Sequence, residues 1–343
     1  MLILLPPSET KAQTRRGKPL ELASLSFPEL TQTRARVLDA LVATSRLPDA
    51  LTRLGVPDGA VDQVAANVDV LSAPTLPAGR LYTGALFEAL ELAGLDAPSR
   101  RRAGSRLVVA SALWGFSRIT DRLPAYRLSA GARLVGIGPV ASAWRAALSA
   151  VMPSVAGSGI AVDCRSGGYA AMWRPAGARA ARTLPVVVER EVDGRRTVVS
   201  HLAKFGRGLL ARALVVEPGR PRTADDVVDV ARAGLGPGWG VELGSAGGVK
   251  HRVLTLVDRT ERGAFAEHVL SRNPSATSSR SGFSAGAVPQ PLDVGERDRL
   301  LLELDPPAGH EVRQRLVHRL PGRADELGEL LLSEVVMDEK AVR

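Results

Sequence analysis

The chain is poor in cysteine, in aromatic residues and in long apolar runs. A single cysteine, Cys164, excludes an intrachain disulfide and any multi-cysteine zinc site. It sits in the apolar run 160–164 and reads as a buried structural thiol. Aromatic residues make up only 4%, so a core must be built mostly from Leu, Val and Ala. The longest apolar stretch, 107–116, falls well below membrane-spanning length. The opening run Met1-Leu-Ile-Leu-Leu5, closed by Pro6-Pro7, lacks a basic flank and is too short for a secretion signal. A cytoplasmic protein without a membrane partner is expected. The sequence has no internal repeat.

What is present is the balance of a globular protein: 45% apolar and 24% charged residues over 343 positions. That length allows one large domain or two modest ones. The formal charge of +9 is uneven. Residues 258–343 hold 12 basic and 15 acidic side chains, a net of −3, which leaves +12 on residues 1–257. Such a surplus concentrates anionic partners, among them nucleic acid and nucleotides. Arginine-favouring codon usage in a GC-rich genome would raise the charge without any partner.

Leu2–Leu5 reads as a short buried strand ended by two prolines. Helical spacing of Val37, Leu38, Leu41 and Val42 continues through Leu51, Leu54, Val61, Val64 and Val68, with a break at Gly55-Val-Pro-Asp-Gly59. Leu107–Ala112 and Ile160–Cys164 read as two more buried strands. Leu184–Glu191 and Arg195–Leu202 flank Asp193-Gly194, a strong hairpin signal. Lys250–Val257 reads as a late strand after the glycine-rich stretch 234–248. Interspersed strands and helices predict an α/β domain over 1–257, with a mixed, partly antiparallel sheet and surrounding helices. Beyond it, 271–291 is rich in Ser, Gly, Pro and Asn, and all four Trp and all three Tyr lie before residue 240. Residues 258–343 are therefore expected to be a linker and a marginally helical C-terminal extension.

Several blocks occur in order: Met1-Leu-Ile-Leu-Leu-Pro-Pro-Ser-Glu-Thr-Lys11, Leu81-Tyr-Thr-Gly84, Ser111-Ala-Leu-Trp-Gly115, Pro124-Ala-Tyr-Arg-Leu128, Val162-Asp-Cys-Arg-Ser-Gly-Gly-Tyr169, Ala203-Lys-Phe-Gly-Arg-Gly-Leu-Leu-Ala-Arg212 and Lys250-His-Arg252. In order and spacing they resemble the YaaA peroxide-stress protein family over about residues 1–257. The resemblance implies a cytoplasmic bacterial protein of the hydrogen-peroxide stress response that limits damage driven by unincorporated iron. It implies an α/β fold with a basic cleft, a helix-hairpin-helix-like element and DNA binding, and no established catalytic activity. The chain departs from the family pattern in its 86-residue tail and in Glu9, where many relatives carry a lysine.

Read from their chemistry, residues 202–214 give the best local site. Leu202, Phe205, Leu209 and Ala213 share one arc of a helix and Lys204, Arg207 and Arg212 the opposite one. Gly206 and Gly208 would let a phosphate approach the backbone; a solvated surface helix shows the same pattern. Leu51–Ala65 has the outline of a helix-hairpin-helix, although a packing corner with Asp58 as N-cap suits it better. Ser8, Glu9, Thr10 and Lys11 follow a buried strand, a common place for functional groups. With Arg127, Ser166, Lys204 and Arg207 they would line a phosphate or nucleotide pocket, with Glu9 as general base and Lys11 as charge stabiliser. The plainer reading has Ser8 and Thr10 merely capping the next segment. Arg165-Ser-Gly-Gly168 is a weak candidate anion nest, and 234–248 leads into a strand, which fails the context of a phosphate-binding loop. His201 and His251, 50 residues apart, have no paired carboxylate motif, so no metal or cofactor is expected.

The leading expectation is a non-enzymatic protein that binds DNA with little sequence specificity, through Lys11, Arg127, Lys204, Arg207, Arg212 and Lys250. The alternative is an enzyme acting on a nucleotide or other phosphorylated small molecule at Ser8–Lys11. A third reading makes the tail an arm that docks a protein partner.

Overall fold

The computed structural model of the protein describes residues 1–245 and 252–260. Its strands are β1 (Leu2–Leu5), β2 (Thr75–Pro77), β3 (Leu107–Ser111), β4 (Gly115–Arg118), β5 (Arg122–Pro124), β6 (Arg133–Leu134), β7 (Gly138–Pro139), β8 (Ala161–Asp163), β9 (Thr183–Val192), β10 (Arg195–Thr197), β11 (Trp239–Ser245) and β12 (Arg252–Asp258). The main sheet runs in the order β11-β12-β9-β8-β1-β3-β4, with β10 paired to β9. Its five middle strands are mutually parallel. The antiparallel partners β4, β10 and β11 lie outside them. The sheet is therefore mixed, as the interspersed pattern predicts.

β1 is central because all four of its residues are apolar and buried, which suits a strand covered on both faces. It pairs with β3 through Ile3↔Leu107 and with β8 through Leu2↔Ala161. The hairpin at Asp193-Gly194 forms as the dipeptide predicts: both residues have positive φ, 51° and 74°, and Val192 pairs with Arg195. The late strand starts at Arg252, so Lys250 and His251 lie outside the described residues. Part of the glycine-rich stretch is itself a strand, β11. The predicted extension lies outside the described residues except for Asp258–Thr260, and the last described strand ends at Asp258. β2 pairs with β5, and β6 with β7, as two small ribbons.

The helices are α1 (Thr31–Ser45), α2 (Ala50–Leu54), α3 (Val61–Ala66), α4 (Ala78–Leu81), α5 (Ala85–Leu90), α6 (Ala97–Arg106), α7 (Val140–Ala156), α8 (Gly167–Ala170), α9 (Gly177–Ala180), α10 (Ser200–Val216) and α11 (Ala224–Gly234). α1 buries Val37, Leu38 and Leu41 on one face, as their spacing requires. The region after it breaks into short pieces because Gly55 takes a left-handed φ of 60° and ends α2. Asp58 is not an N-cap. It opens a single 3₁₀ turn that Pro57 precedes, and no side chain caps either that turn or α3.

α10 corrects a second expectation. Leu202, Ala203, Phe205, Gly206, Gly208, Leu210, Ala211, Leu214 and Val215 are all buried, so apolar burial wraps most of the helix. It packs against α5, α6, α11 and β9. Gly206 and Gly208 serve this packing: a Cβ at 206 would stand 2.9 Å from the Trp239 ring, and one at 208 would collide with the Leu86 carbonyl. Their missing side chains admit protein neighbours, not a phosphate.

Candidate functional site

β1 and β8 are adjacent and parallel, yet the chain leaves them in opposite directions across the sheet, β1 towards β3 and β8 towards β9. Ligands of open α/β sheets bind in the crevice at the carboxyl ends of such a pair. Here β1 delivers Ser8–Lys11 and β8 delivers Cys164–Tyr169.

Lys11 is fixed by backbone pairing. Its neighbour Ala12 donates to Leu81 O at 2.8 Å, Thr83 N donates to Thr10 O at 3.3 Å, and Lys11 itself bridges to Tyr82. The side chain folds back over its own turn: Nζ donates to Ser8 O at 2.9 Å and to Glu9 O at 3.3 Å. It also lies 4.3 Å from the ring centre of Tyr126 and 5.8 Å from that of Tyr82. Burial pushes its amine down to about 7, the Arg127 charge adds to that, and Glu9 opposes it. A lysine at that value carries a large neutral fraction at neutral pH.

Behind Lys11 runs a buried chain of hydroxyls. Ser111 Oγ accepts Leu113 N–H at 3.2 Å and Trp114 N–H at 3.1 Å. With both lone pairs engaged, its own proton is directed to the Tyr126 hydroxyl 2.6 Å away. Tyr126 in turn meets the Tyr82 hydroxyl at 3.0 Å. Burial holds both phenols well above the ordinary tyrosine range, so they stay protonated. Tyr169, after β8, is likewise held protonated by burial, and Tyr126 and Glu9 reinforce the shift. Tyr82 and Tyr126 thus flank Lys11, and the field of Tyr169 reaches Tyr82.

At the rim, Arg127 Nη2 meets Glu9 Oε2 at 3.4 Å, and the Glu9 side chain is 68% exposed, so it is free to swing away. The Arg127 backbone is clamped by buried Asn67, whose Oδ1 accepts from Arg127 N at 2.8 Å and whose Nδ2 donates to Arg127 O at 3.0 Å. Ser8, Thr10 and Thr83 form a second hydroxyl cluster, linked at 3.1 Å. Gly84, with φ of 90°, lies against it, since a Cβ there would sit 3.1 Å from Thr10 Oγ1. Across the crevice, Arg165 closes on Asp163 through two bonds of 2.9 and 2.7 Å and stacks over Trp173. Its guanidinium is thereby consumed in holding the loop after β8. Ser166, next along, is exposed at the start of the four-residue α8. Cys164 is buried and its thiol is pushed up to about 12 by burial, a structural role.

The structure brings Ser8, Glu9, Thr10, Lys11 and Arg127 into one neighbourhood. Lys204, Arg207 and Arg212 lie on α10, and the charge of Arg207 acts on Cys164 after β8. Lys204 is exposed. Arg207 donates to Val186 O at 3.1 Å, and Arg212 donates to the Leu90 and Glu91 carbonyls at 3.1 and 2.9 Å and pairs with the Glu91 carboxylate. The second of these caps the C-terminus of α5, where carbonyls lack helical partners. Arg102 and Arg106 do the same for the end of α10. Part of the arginine surplus is therefore internal.

Sequence reasoning missed Asn67, Tyr82, Ser111, Tyr126 and Tyr169 as site residues. The signal was available for the tyrosines: in a chain with three, each falls in a separate one of the ordered blocks. Among the described residues, no group of three or more His, Cys, Asp or Glu is placed to hold a metal ion, and no helix is long and apolar enough to cross a membrane.

A family model described as Peroxide stress protein YaaA matches residues 1–235. A UPF0246 protein of Streptomyces coelicolor is 44% identical over 234 residues, covering 68% of this chain and 89% of that protein. A UPF0246 protein of Corynebacterium efficiens is 40% identical over 259 residues, 75% of this chain and 100% of that protein. An uncharacterised protein of Campylobacter jejuni is 27% identical over 214 residues, 61% of this chain and 82% of that protein.

Proposed function

Because the chain belongs to the YaaA peroxide stress protein family, we propose that it works in the cytoplasm as a DNA-binding protein of the hydrogen-peroxide response, and that by occupying DNA it limits damage driven by unincorporated iron. One observation carries the DNA reading. Between Arg122 and Arg182 the chain holds eight arginines and a single carboxylate, Asp163. That carboxylate is buried and closed on Arg165, so it neutralises none of the others. Arg133, Arg145 and Arg174 of this segment are exposed. A segment so rich in arginine suits contact with the phosphate backbone, with little dependence on base sequence. Of the contacts expected from sequence, Lys204 is exposed, and Arg207 and Arg212 are half-buried and donate to backbone carbonyls.

The test is fluorescence anisotropy of the full chain with duplex, bubbled and single-stranded DNA across a salt series. Binding that weakens steeply with salt, and whose slope falls when Arg133, Arg145 and Arg174 are replaced together by Ala, supports the reading. No binding at low salt refutes it.

A second reading, an enzyme acting on a nucleotide or other phosphorylated small molecule, is favoured by the Lys11 amine, which donates to the Glu9 backbone carbonyl, and by the exposed Glu9 carboxylate two residues before it. Glu9→Gln separates the two, since it should abolish turnover and leave DNA affinity equal or slightly higher.

A further inference from the structure

The geometry points to Lys11 as the nucleophile of a DNA-processing site that acts on abasic deoxyribose, capturing the open-chain C1′ aldehyde as a Schiff base and cleaving the strand by β-elimination. The inference rests on the DNA-binding reading above and names the lesion that its site would take.

Three features of the molecule converge. The first is the amine. Lys11 Nζ is held by two backbone carbonyls and two aromatic faces, and no carboxylate hydrogen-bonds to it. Burial keeps it at about 7, so a neutral, nucleophilic amine is present under physiological conditions. The second is the base. Glu9 lies two residues away, on the same strand exit, with its carboxylate exposed and only loosely tied to Arg127 at 3.4 Å. The third is the anion seat. Arg127 is clamped through its backbone by Asn67, and the oxygen now beside its guanidinium, Glu9 Oε2, stands where a phosphate oxygen would sit once Glu9 turns to the sugar. An amine selects a carbonyl compound and the arginine-rich segment selects a polyanion. DNA that carries an abasic sugar is both, and having lost its base it brings nothing bulky to a half-buried amine.

The chemistry balances without a cofactor. The neutral amine adds to C1′, one of its protons passes to the carbonyl oxygen, and a second proton, taken from solvent and returned when the imine is hydrolysed, lets that oxygen leave as water and gives a protonated imine. The Glu9 carboxylate takes a proton from C2′. The electrons of that C–H bond form the C2′–C3′ double bond, the C3′–O bond breaks, and its electron pair leaves with the 3′ phosphate. Water then hydrolyses the imine and returns Lys11.

The experiment incubates the full chain with an end-labelled duplex that carries one abasic site, with and without sodium borohydride, and measures binding to the same duplex by anisotropy. The expected result is strand cleavage without borohydride and a covalent protein–DNA adduct with it, the reduced linkage mapping by mass spectrometry to Lys11. The chain has five lysines, so the assignment is unambiguous. Lys11→Arg should lower adduct formation by more than about tenfold when compared at DNA concentrations that give equal occupancy by anisotropy. Glu9→Gln should keep the adduct and lose cleavage. Tight binding with no adduct, or an adduct on the N-terminal amine or another lysine, overturns this inference and leaves DNA binding standing. Absence of binding overturns both. Mapping on the unaltered protein keeps the test decisive even if the Lys11 variant fails to fold.

Discussion

Lys11 Nζ lies 4.3 Å from the ring centre of Tyr126, and the hydroxyl of that same ring is bonded at 2.6 Å to Ser111. One tyrosine therefore presents its face to the amine and its edge to a buried polar turn. The face attracts the charged ammonium, whereas the burial that the ring creates disfavours it. Burial prevails, and the amine falls to about 7. The position of β1 at the switch point of the sheet puts this balance at the carboxyl ends of the strands, where open α/β sheets bind their ligands.

The first prediction concerns that titration. With all amines dimethylated using ¹³C-formaldehyde, the Lys11 resonance should titrate near pH 7. Tyr126→Leu should lower the Lys11 midpoint further, because the attractive ring face is gone while an apolar side chain remains. Because the folded value lies below the unfolded one, the stability contributed by Lys11 should rise with pH between about 7 and its ordinary value near 10.5 and be flat below pH 7. Denaturation of wild type and Lys11→Met across pH reads that slope.

A second prediction tests the Ser111 turn. Ser111→Ala leaves two backbone N–H groups, of Leu113 and Trp114, without their acceptor inside the core. The cost should be about 2–3 kcal/mol in urea denaturation. Tyr126→Phe removes one hydroxyl from the end of that network and should cost less.

Third, Arg207 and Arg212 should behave as structural residues. Replacing either by Ala is expected to lower stability by about 1 kcal/mol, since carbonyls of β9 and of the α5 C-terminus lose a donor. The salt slope of DNA binding should be unchanged. Chemical denaturation and anisotropy on the same samples separate the two effects.

A fourth prediction follows from packing. Gly208→Ala places a methyl group against the Leu86 carbonyl at the crossing of α10 and α5. The helices must move apart or α10 must bend, at a cost of roughly 1–3 kcal/mol, visible as a lower denaturation midpoint with an unchanged slope. The usual gain in helix propensity from Gly to Ala, about 1 kcal/mol, is too small to offset it.

Arg34 supplies a fifth. It is fully buried, donates to the carbonyls of Trp114, Phe116 and Ser26, and is pushed down to about 10 by burial. Arg34→Met should leave those carbonyls without a donor and cost several kcal/mol, and the loss should appear first as increased hydrogen exchange at the turn between β3 and β4.

Residue patterns dictated local structure. The apolar run Leu2–Leu5 had to be a buried strand, Asp193-Gly194 had to turn a hairpin, and the polar groups Ser8–Lys11 had to emerge where β1 ends, because periodicity and turn chemistry act over a few residues. The mixed sheet class followed from the alternation of such segments. Long-range packing sets which charges are engaged and which residues meet. On a helical wheel Arg207 and Arg212 looked like a solvent face, but a wheel knows nothing of α5 and β9, whose carbonyls claim them. Likewise Tyr82, Tyr126 and Ser111 are far from Lys11 in sequence and become its surroundings only when β1 and β3 pair and the chain folds back past Leu81. Desolvation, the main cause of the shift at Lys11, is a property of packed neighbours, so no reading of residues 8–11 alone contains it.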